Sequence, residues 1–559
     1  MIGHNYKSME EFLNANGTST AELNARKYYA YDFSAARDFI MQAKAATGLI
    51  YIIGDYDVDG LFSTEELNRV AIAFGCRTIR RIPKRISEGY GLNETIIDEI
   101  PENQWLITVD NGITAFSAIE KAKEKGIKIM ILDHHLPMKN EDGSLKLPNA
   151  DVIYDPHFDH AEWKDYCAAG VVYKLAEYCF GQCDFTAEIA VFAAMGTIAD
   201  MVPLKGDNRQ LVKYGLSLLN TKLNVPESIS KLLTACSLSH IDEQDIGYKL
   251  GPIINACGRL DDDGAQFVSN YLAERDPRKL ERNVLSLINE NIRRQELTAE
   301  ITEQVTRLLG DPNSSKYEHS ICLNIPNIPE GLIGIIAGNI ASDYNVPAFV
   351  VTNAHLGELK GSARGNDMIN VKEVLDSNID CYVNKNGHSS EKKYGGHEGA
   401  GGFSLNPEKF DTFKQSVESI PLNKKEKYAY DFDIKQSDIP MWYHIKSQYA
   451  PFGIGNPEPI FHIDCFEASP RYSKFSECIG SQKQHVKIFG AGCDALGFNL
   501  ASQYQKINSP KRVELIGKIA INYHNGKQKI QFLIKELHKI ERHYQPSAEL
   551  DFLKQLANN

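Results

Sequence analysis

The chain has 559 residues, with 61 lysines and arginines against 73 acids, for a formal charge of −12. At ~100–200 residues per domain this length divides into about three or four domains. A content of 43% apolar and 24% charged residues excludes wholesale disorder, and the acidic balance excludes a generic basic nucleic-acid coat while leaving room for a local basic track.

The 11 cysteines are scattered and read as reduced thiols of a cytosolic protein. Cys179 and Cys183 lack the CxxC spacing and a matching second pair, so no zinc site is expected there. The start, Met1-Ile2-Gly3-His4-Asn5, has neither a charged nor an apolar signal region. The most apolar stretch, Ile189 to Ala199, is too short to span a bilayer. The expectation is a cytoplasmic protein with no membrane association.

Leu49–Ile53, Trp105–Val109, Lys128–Leu132 and Asp151–Tyr154 read as short buried strands, with helical patterns such as Thr114–Lys125 between them. That alternation predicts a parallel, doubly wound α/β sheet. Arg77, Arg80, Arg81, Lys84 and Arg85 form a basic run just before Glu88-Gly89-Tyr90-Gly91. Arginine beside tyrosine suits a track for a nucleic-acid backbone and its bases, although such a run also serves as an ordinary solvated face.

A long polar helical pattern runs from about Ala273 to Leu309. A second α/β unit follows: strand Ile321–Ile325, helix Leu332–Asp343, strand Ala348–Val351 and a glycine-rich hairpin near Gly395–Gly402. From Pro459 to His538 short alternating strands predict a small barrel, with Tyr472-Ser473-Lys474-Phe475 and Lys511-Arg512 mixing aromatic and basic residues.

In an open parallel sheet, ligands bind beyond the carboxyl ends of the strands. Here those ends carry Asp55, Asp57 and Asp59, then Asp110, then Asp133-His134-His135, while Asp200 closes the apolar helix. One aspartate after a strand is often only a helix cap. So many acids on one rim, however, repel one another unless cations are present, and oxygen ligands with a histidine or two suit Mn²⁺ or Mg²⁺ in phosphoryl chemistry.

Gly54-Asp55-Tyr56-Asp57-Val58-Asp59-Gly60, Val109-Asp110-Asn111-Gly112, Asp133-His134-His135 and Thr197-Ile198-Ala199-Asp200-Met201-Val202-Pro203-Leu204 resemble the motifs of the DHH phosphoesterase family. Within it they resemble the single-stranded-DNA-specific 5′→3′ exonucleases of the RecJ type. Asn255-Ala256-Cys257-Gly258-Arg259, Gly331-Leu332-Ile333-Gly334, Gly361-Ser362-Ala363-Arg364, Gly395-Gly396-His397-Glu398-Gly399 and Pro451-Phe452-Gly453-Ile454-Gly455-Asn456-Pro457 extend the resemblance over roughly residues 50 to 540. Two positions depart from it: Ile53 stands where some relatives carry a histidine ligand, and Ile253 where an arginine is usual.

The resemblance implies an α/β chain: a parallel-sheet DHH domain, a smaller α/β DHHA1 domain joined to it by a long helix, and a C-terminal OB-like β-barrel. The boundaries expected are 1–265 for the DHH domain, 266–315 for the connecting helix, 316–420 for DHHA1, 421–540 for linker and barrel, and 541–559 for a tail. It implies that Asp57, Asp59, Asp110, His134 and Asp200 hold two divalent cations, Mn²⁺ or Mg²⁺, with Asp110 between them. His135 would donate to the phosphate, and Asp55 would act as a base behind the ligands or as a weak ligand. Arg85, Tyr90, Asn255, Arg259, Ser362, Arg364, Gly396 and His397 would bind substrate.

The activity implied is release of mononucleotides from the 5′ end of single-stranded DNA, in repair or recombination. The expected partners are single-stranded DNA and a single-stranded-DNA-binding protein or helicase, with the chain acting as a monomer. The alternatives are a DHH phosphodiesterase on short oligonucleotides or cyclic dinucleotides, and an inactive DNA-binding scaffold.

Overall fold

The computed structural model describes residues 3–23, 32–140, 142–157, 163–312, 317–354, 357–384, 393–423, 429–480, 482–524 and 527–540. The expected tail at 541–559 lies outside them. The described chain divides into two compact units, Asn24–Glu426, and Met1–Leu23 with Lys427–Asn559.

In the larger unit, β1 (Leu49–Ile53), β2 (Arg77–Arg81), β3 (Trp105–Val109), β4 (Lys128–Leu132) and β5 (Val152–Tyr154) form one parallel sheet in the order β2-β1-β3-β4-β5. Alternate side chains leave opposite faces of a strand, and both faces are covered here. Ile50, Ile52, Ile107, Val109, Met130 and Leu132 enter one core. Ile53, Leu106, Ile129 and Ile131 enter another with Ile96, Ile97 and Ile119. The central strands β1, β3 and β4 are therefore largely apolar rather than alternating, as parallel strands covered twice must be, while the edge strand β2 is basic and partly exposed. Strand order reverses between β1 and β3, so a crevice opens at their carboxyl ends.

Helix α1 (Val58–Ala73) leaves β1 at that crevice, and Asp57 caps it by accepting from the Gly60 amide at 3.1 Å. Helices α2 (Ala168–Phe180) and α3 (Asp184–Ala199) pack against it within the first core. From Ile189 to Thr197 helix α3 is buried on every side and carries no charged residue. It ends at Asp200, on the same rim.

Helix α4 (Gly251–Leu260) carries Asn255 and Arg259. Helix α5 (Pro277–Leu309) has 33 residues, about 50 Å at 1.5 Å per residue. Its first half buries Leu280, Val284 and Leu287 in the core of the parallel sheet. Its second half buries Ile301 and Val305 in the next core, so one helix joins two hydrophobic centres. Residues 266–273, expected to begin this connection, belong instead to a separate helix, Gly264–Ala273, whose Val268, Tyr271 and Leu272 belong to the first core.

The second sheet has the order β9-β10-β8-β7-β6, from β6 (Ile321–Asn324), β7 (Ala348–Asn353), β8 (Leu359–Arg364), β9 (Tyr394–Gly396) and β10 (Ala400–Leu405). Strands β6 and β7 are parallel and the remaining pairs antiparallel. Helix α6 (Ile333–Asp343) covers one face.

The smaller unit holds a seven-stranded sheet ordered β11-β12-β16-β17-β15-β14-β13, from β11 (Phe432–Asp433), β12 (Phe461–Glu467), β13 (Ser476–Ile479), β14 (His485–Ile488), β15 (Asp494–Gly497), β16 (Arg512–His524) and β17 (Lys527–Lys539). Strands β12 and β13 are two halves of one run. Ala468 bridges Gly490, Phe489 N–H donates to the Phe475 carbonyl, and Ser469 N–H donates to the Phe489 carbonyl, so the run bonds to the segment after β14 on both sides of its interruption.

The placement of residues 1–265 in one domain needs correction at its start. His4 and Tyr6 amides donate to the carbonyls of Tyr430 and Asp431, and Met9, Phe12, Leu13 and Leu23 fill the barrel core beside Phe432 and Phe461. The reason is hydrophobic: helix Met9–Ala15 has one apolar face, and that core is where it is buried. Among the described residues no helix is long and apolar enough to cross a membrane.

Candidate metal centre and phosphate cleft

The acidic strand ends converge. His134 Nε2 lies 3.0 Å from Asp110 Oδ1 and 3.8 Å from both Asp59 Oδ2 and Asp200 Oδ2. Three groups of ligand atoms each lie within 4.8 Å: Asp55, Asp57 and Asp110; Asp110, His134 and His135; Asp59, His134 and Asp200. Asp110 and His134 are shared between groups, which is the arrangement that two neighbouring cations require. Asp110 has a left-handed backbone (φ +63°), a strained conformation of a kind found where function fixes a side chain. Its carbonyl accepts from the Tyr90 hydroxyl at 2.8 Å.

Neighbouring groups hold the ligands in place. Asp59 accepts from the Ala168 and Ala169 amides at 2.7 and 3.0 Å, at the start of α2. Asn111 links three segments, accepting from Leu92 N–H and donating to the carbonyls of Ile53 and Val109. Asp133 is occupied by hydrogen bonds, accepting from the amides of Ile113, His134 and His135 and meeting His135 Nδ1 at 2.8 Å.

The electrostatics fit cations. Burial, followed by repulsion from neighbouring carboxylates, pushes Asp55, Asp110 and Asp200 well above the usual carboxylate range and Asp59 to about 6. Asp55 Oδ1 is buried with no hydrogen-bond partner among the described residues. Burial, then the charge of His135, lowers His134 to about 3, so it is a neutral imidazole with a lone pair for a metal. His135 goes the other way. Burial opposes its charge, but the hydrogen bond and charge of Asp133 overcome that and raise it to about 9. Burial likewise acts to raise Asp133, and His135 holds it below its ordinary value.

Ile53, where some relatives have a histidine, points into the apolar core and offers no ligand. Asp55 supplies an extra oxygen beside Asp57 and Asp110 instead.

The basic run at 77–85 divides. Arg80 is occupied by the Ser269 carbonyl and Glu65, Arg81 by Glu88 and Glu99, and Lys84 by Asp263. These pairings correct the expectation of one continuous track; the cations fasten β2 to its surroundings. Arg85 lies over the Tyr56 ring at 4.5 Å, and its charge acts on Asp55.

Arg259 is the centre of a second, cationic cluster. Burial first, and then the charges of Arg85, Arg294 and Arg364, lower it to about 9, against the opposing pull of Asp57. Its Nη1 donates to the Gly331 carbonyl at 3.1 Å. A Cβ on Gly331 would come within 2.2 Å of the Arg259 carbonyl, and one on Gly334 within 3.2 Å of Arg364 Nη2. Gly331 thus lets the turn before α6 pack on the Arg259 backbone, and Gly334 lets α6 approach the Arg364 guanidinium. Arg364 donates to Ser362 Oγ at 3.1 Å and pairs across the sheet with Ala400, at the foot of the turn that carries Gly396 and His397. Asn255 Oδ1 is buried and unpaired among the described residues. Ile253 lies in the apolar core and contributes no cation.

Arg294 is a group that sequence reasoning missed. It sits on α5 with its guanidinium on Asn291 Oδ1 and borders an open groove of about 530 Å³ with Thr298 and Asn339. In a polar helix, nothing in the pattern separates it from solvated arginines.

The description "DHH family, N-terminal domain" matches residues 49–197, "DHHA1 domain" residues 319–420, and "RecJ OB domain" residues 430–536. A crystal structure titled exonuclease RecJ bound to manganese is 30% identical, with a TM-score of 0.56, and the match covers 68% of this chain and 93% of that one. The chain belongs to the RecJ family. RecJ from Thermus thermophilus, crystallised with Mn²⁺, matches with a TM-score of 0.73 at 26% identity, over 94% of this chain and 75% of that one. The single-stranded-DNA-specific exonuclease RecJ of Bacillus subtilis is 28% identical over 523 residues, 90% of this chain but 62% of the relative. The chain thus spans less than two thirds of that relative's length. The RecJ OB match coincides with the smaller unit, and the DHH match with the sheet that bears the acids.

Proposed function

We propose that this RecJ-family chain is a metal-dependent exonuclease that hydrolyses single-stranded DNA from its 5′ end to mononucleotides. The observation that carries the reading is the pairing of an acid centre shared at Asp110 and His134 with an arginine cluster around Arg259 in the same unit.

Asp57, Asp59, Asp110, His134 and Asp200 would hold two divalent cations, Mn²⁺ or Mg²⁺. When bound, such ions supply an activated water and neutralise charge on the scissile phosphate. The chain's own residues do the rest. His135, kept charged at neutral pH by Asp133, donates an N–H to a phosphate oxygen. Asp55 stands ready to take a proton behind the ligands. Tyr90 fixes the Asp110 carbonyl and offers its ring beside His135.

Hydrolysis adds water across the P–O3′ bond. It frees a 5′-mononucleotide and leaves a new 5′-phosphate on the shortened strand. Arg85, Arg259 and Arg364, with Arg294, Ser362, Asn255, Gly396 and His397, grip phosphates of that strand; guanidinium forks suit phosphate oxygens. The strand's 5′ phosphate is the group we assign to the Ser362–Arg364 corner.

The OB domain gives the strand a further hold. Such an enzyme needs strand already opened, so a helicase or a single-stranded-DNA-binding protein is the partner that we assign. The chain acts as a monomer in the cytoplasm, in repair or recombination. Comparing hydrolysis of a long single strand with that of a dinucleotide tests the reading. A clear preference for the long strand is expected; a preference for the dinucleotide would make the chain a short-oligonucleotide phosphodiesterase.

A further inference from the structure

The first run of the barrel is interrupted between β12 and β13 by a two-residue turn. Arg471 N–H donates to the Lys474 carbonyl at 2.8 Å, and Lys474 N–H donates back to Arg471 at 3.0 Å. The two residues at its tip, Tyr472 and Ser473, both have positive φ, +49° and +65°. Turns of this form strongly prefer asparagine and glycine there. Tyrosine is a poor choice for the backbone, and its side chain gains no burial in return: Tyr472 is 94% exposed.

Beside the turn, cations exceed the acids that hold them. Arg471 makes a two-point contact with buried Asp494 at 2.9 and 3.0 Å, Lys529 reaches the same carboxylate at 2.7 Å, and Lys487 lies 3.8 Å from it. Three cations thus share one carboxylate. Arg471 and Lys487 both sit over the Phe489 ring, at 4.8 and 5.8 Å, and Lys511 over Phe475 at 4.3 Å. Lys474 is exposed at the end of the turn, and Glu477, opposite Lys487 in the strand pairing, is the further acid nearby. The patch stays cationic in a chain whose net charge is −12.

We propose that Tyr472 is a stacking post for a base of single-stranded nucleic acid, with the cations on Asp494 taking the adjoining phosphates. An exposed aromatic beside fixed cations is the combination that holds single strands without reading their sequence. Uncharged apolar partners gain nothing from the excess of cations. The proposal deepens the functional reading above and rests on it, since it names the residues with which the barrel holds the strand.

The test uses the full chain, binding of a long oligothymidylate, and hydrolysis of both the long strand and a short oligomer. Tyr472→Asn and Tyr472→Gly suit the turn better, so neither should lower Tm. Both should weaken binding of the long strand on the order of fivefold or more, the effect of losing one base stack. Hydrolysis of the short oligomer should be unchanged, and Tyr472→Phe should bind as wild type does. Lys529→Gln should lower the salt dependence of binding by about one unit in slope. If wild type binds the long strand and these variants bind it equally well, the stacking post is overturned and the exonuclease reading stands. If wild type itself fails to bind or degrade the long strand, both fall.

Discussion

The Nδ1 of His135 lies 2.8 Å from Oδ1 of Asp133, whose two oxygens also accept the backbone amides of Ile113, His134 and His135. The carboxylate is thereby fixed behind the imidazole, where its charge keeps His135 protonated to about pH 9. Next to it, His134 is neutral because burial and the charge of His135 outweigh the pull of Asp133. Two adjacent histidines on one strand end thus have opposite charge states, one suited to a metal and one to an anion.

This sets the alkaline limb of activity. A charge that must be present below its pKa is lost as pH rises, so kcat/KM should fall through about pH 9. Asp133→Asn keeps one acceptor oxygen for the His134 and His135 amides, gives up the one that Ile113 uses, and no longer holds the proton with its charge. In that variant the limb should move toward the ordinary histidine value of 6.5. A pH profile of kcat/KM for both proteins checks this; an unmoved limb would assign the charge elsewhere.

The acid cluster makes an opposite demand on stability. Asp59 has its pKa raised to about 6 from 3.8. A raised carboxylate stabilises the fold below 3.8, and that contribution is lost as pH rises through about 6. Metal-free protein should therefore lose stability over this window, with Asp110 and Asp200 shifted in the same direction. Added Mn²⁺ should raise Tm more at pH 8 than at pH 5. Thermal melts in chelator and in Mn²⁺ at the two pH values make the comparison; an equal increment at both would separate the ion from these carboxylates.

Much of this centre was legible in the sequence, because parallel strands expose their carboxyl ends together: Asp59, Asp110 and His134 could be assigned to one rim before any contact was known. The attachment of residues 3–23 to the barrel was not legible, since nothing local in helix Met9–Ala15 names the distant core that takes its apolar face. The basic run at 77–85 was legible as a strand, but its function was not. Whether an arginine meets DNA or Glu99 depends on a helix that pairs with it only after folding. Arg294 stayed hidden for the same reason, as one cation among many on a polar helix.

The cleft between the arginines depends on close backbone approach. Gly331→Ala would drive a Cβ to 2.2 Å from the Arg259 carbonyl. It should destabilise the protein by about 1–3 kcal/mol through displacement of packed backbone, and raise KM by moving Arg259. Denaturant melts with steady-state kinetics report both effects; wild-type stability together with wild-type KM would contradict the packing described.

In the proposed reading the second sheet grips the strand through Arg364 and His397. Arg364→Ala should weaken binding and reduce the slope of log affinity against log salt by about one, the release of a single phosphate contact. His397→Ala should raise KM more than it lowers kcat. Binding and cleavage across a salt series check both; an unchanged slope with an unchanged KM would make the Gly396–His397 turn merely structural.

The most direct test follows single strands labelled at the 5′ or the 3′ end, with Mn²⁺, with Mg²⁺ or in EDTA, for wild type and Asp110→Ala. The expected result is early release of labelled mononucleotide from the 5′ end alone, abolished by EDTA, restored by either ion, and reduced by several orders of magnitude in Asp110→Ala with strand binding retained. Full activity in chelator, or near-wild-type cleavage by Asp110→Ala, would contradict a metal centre shared at Asp110.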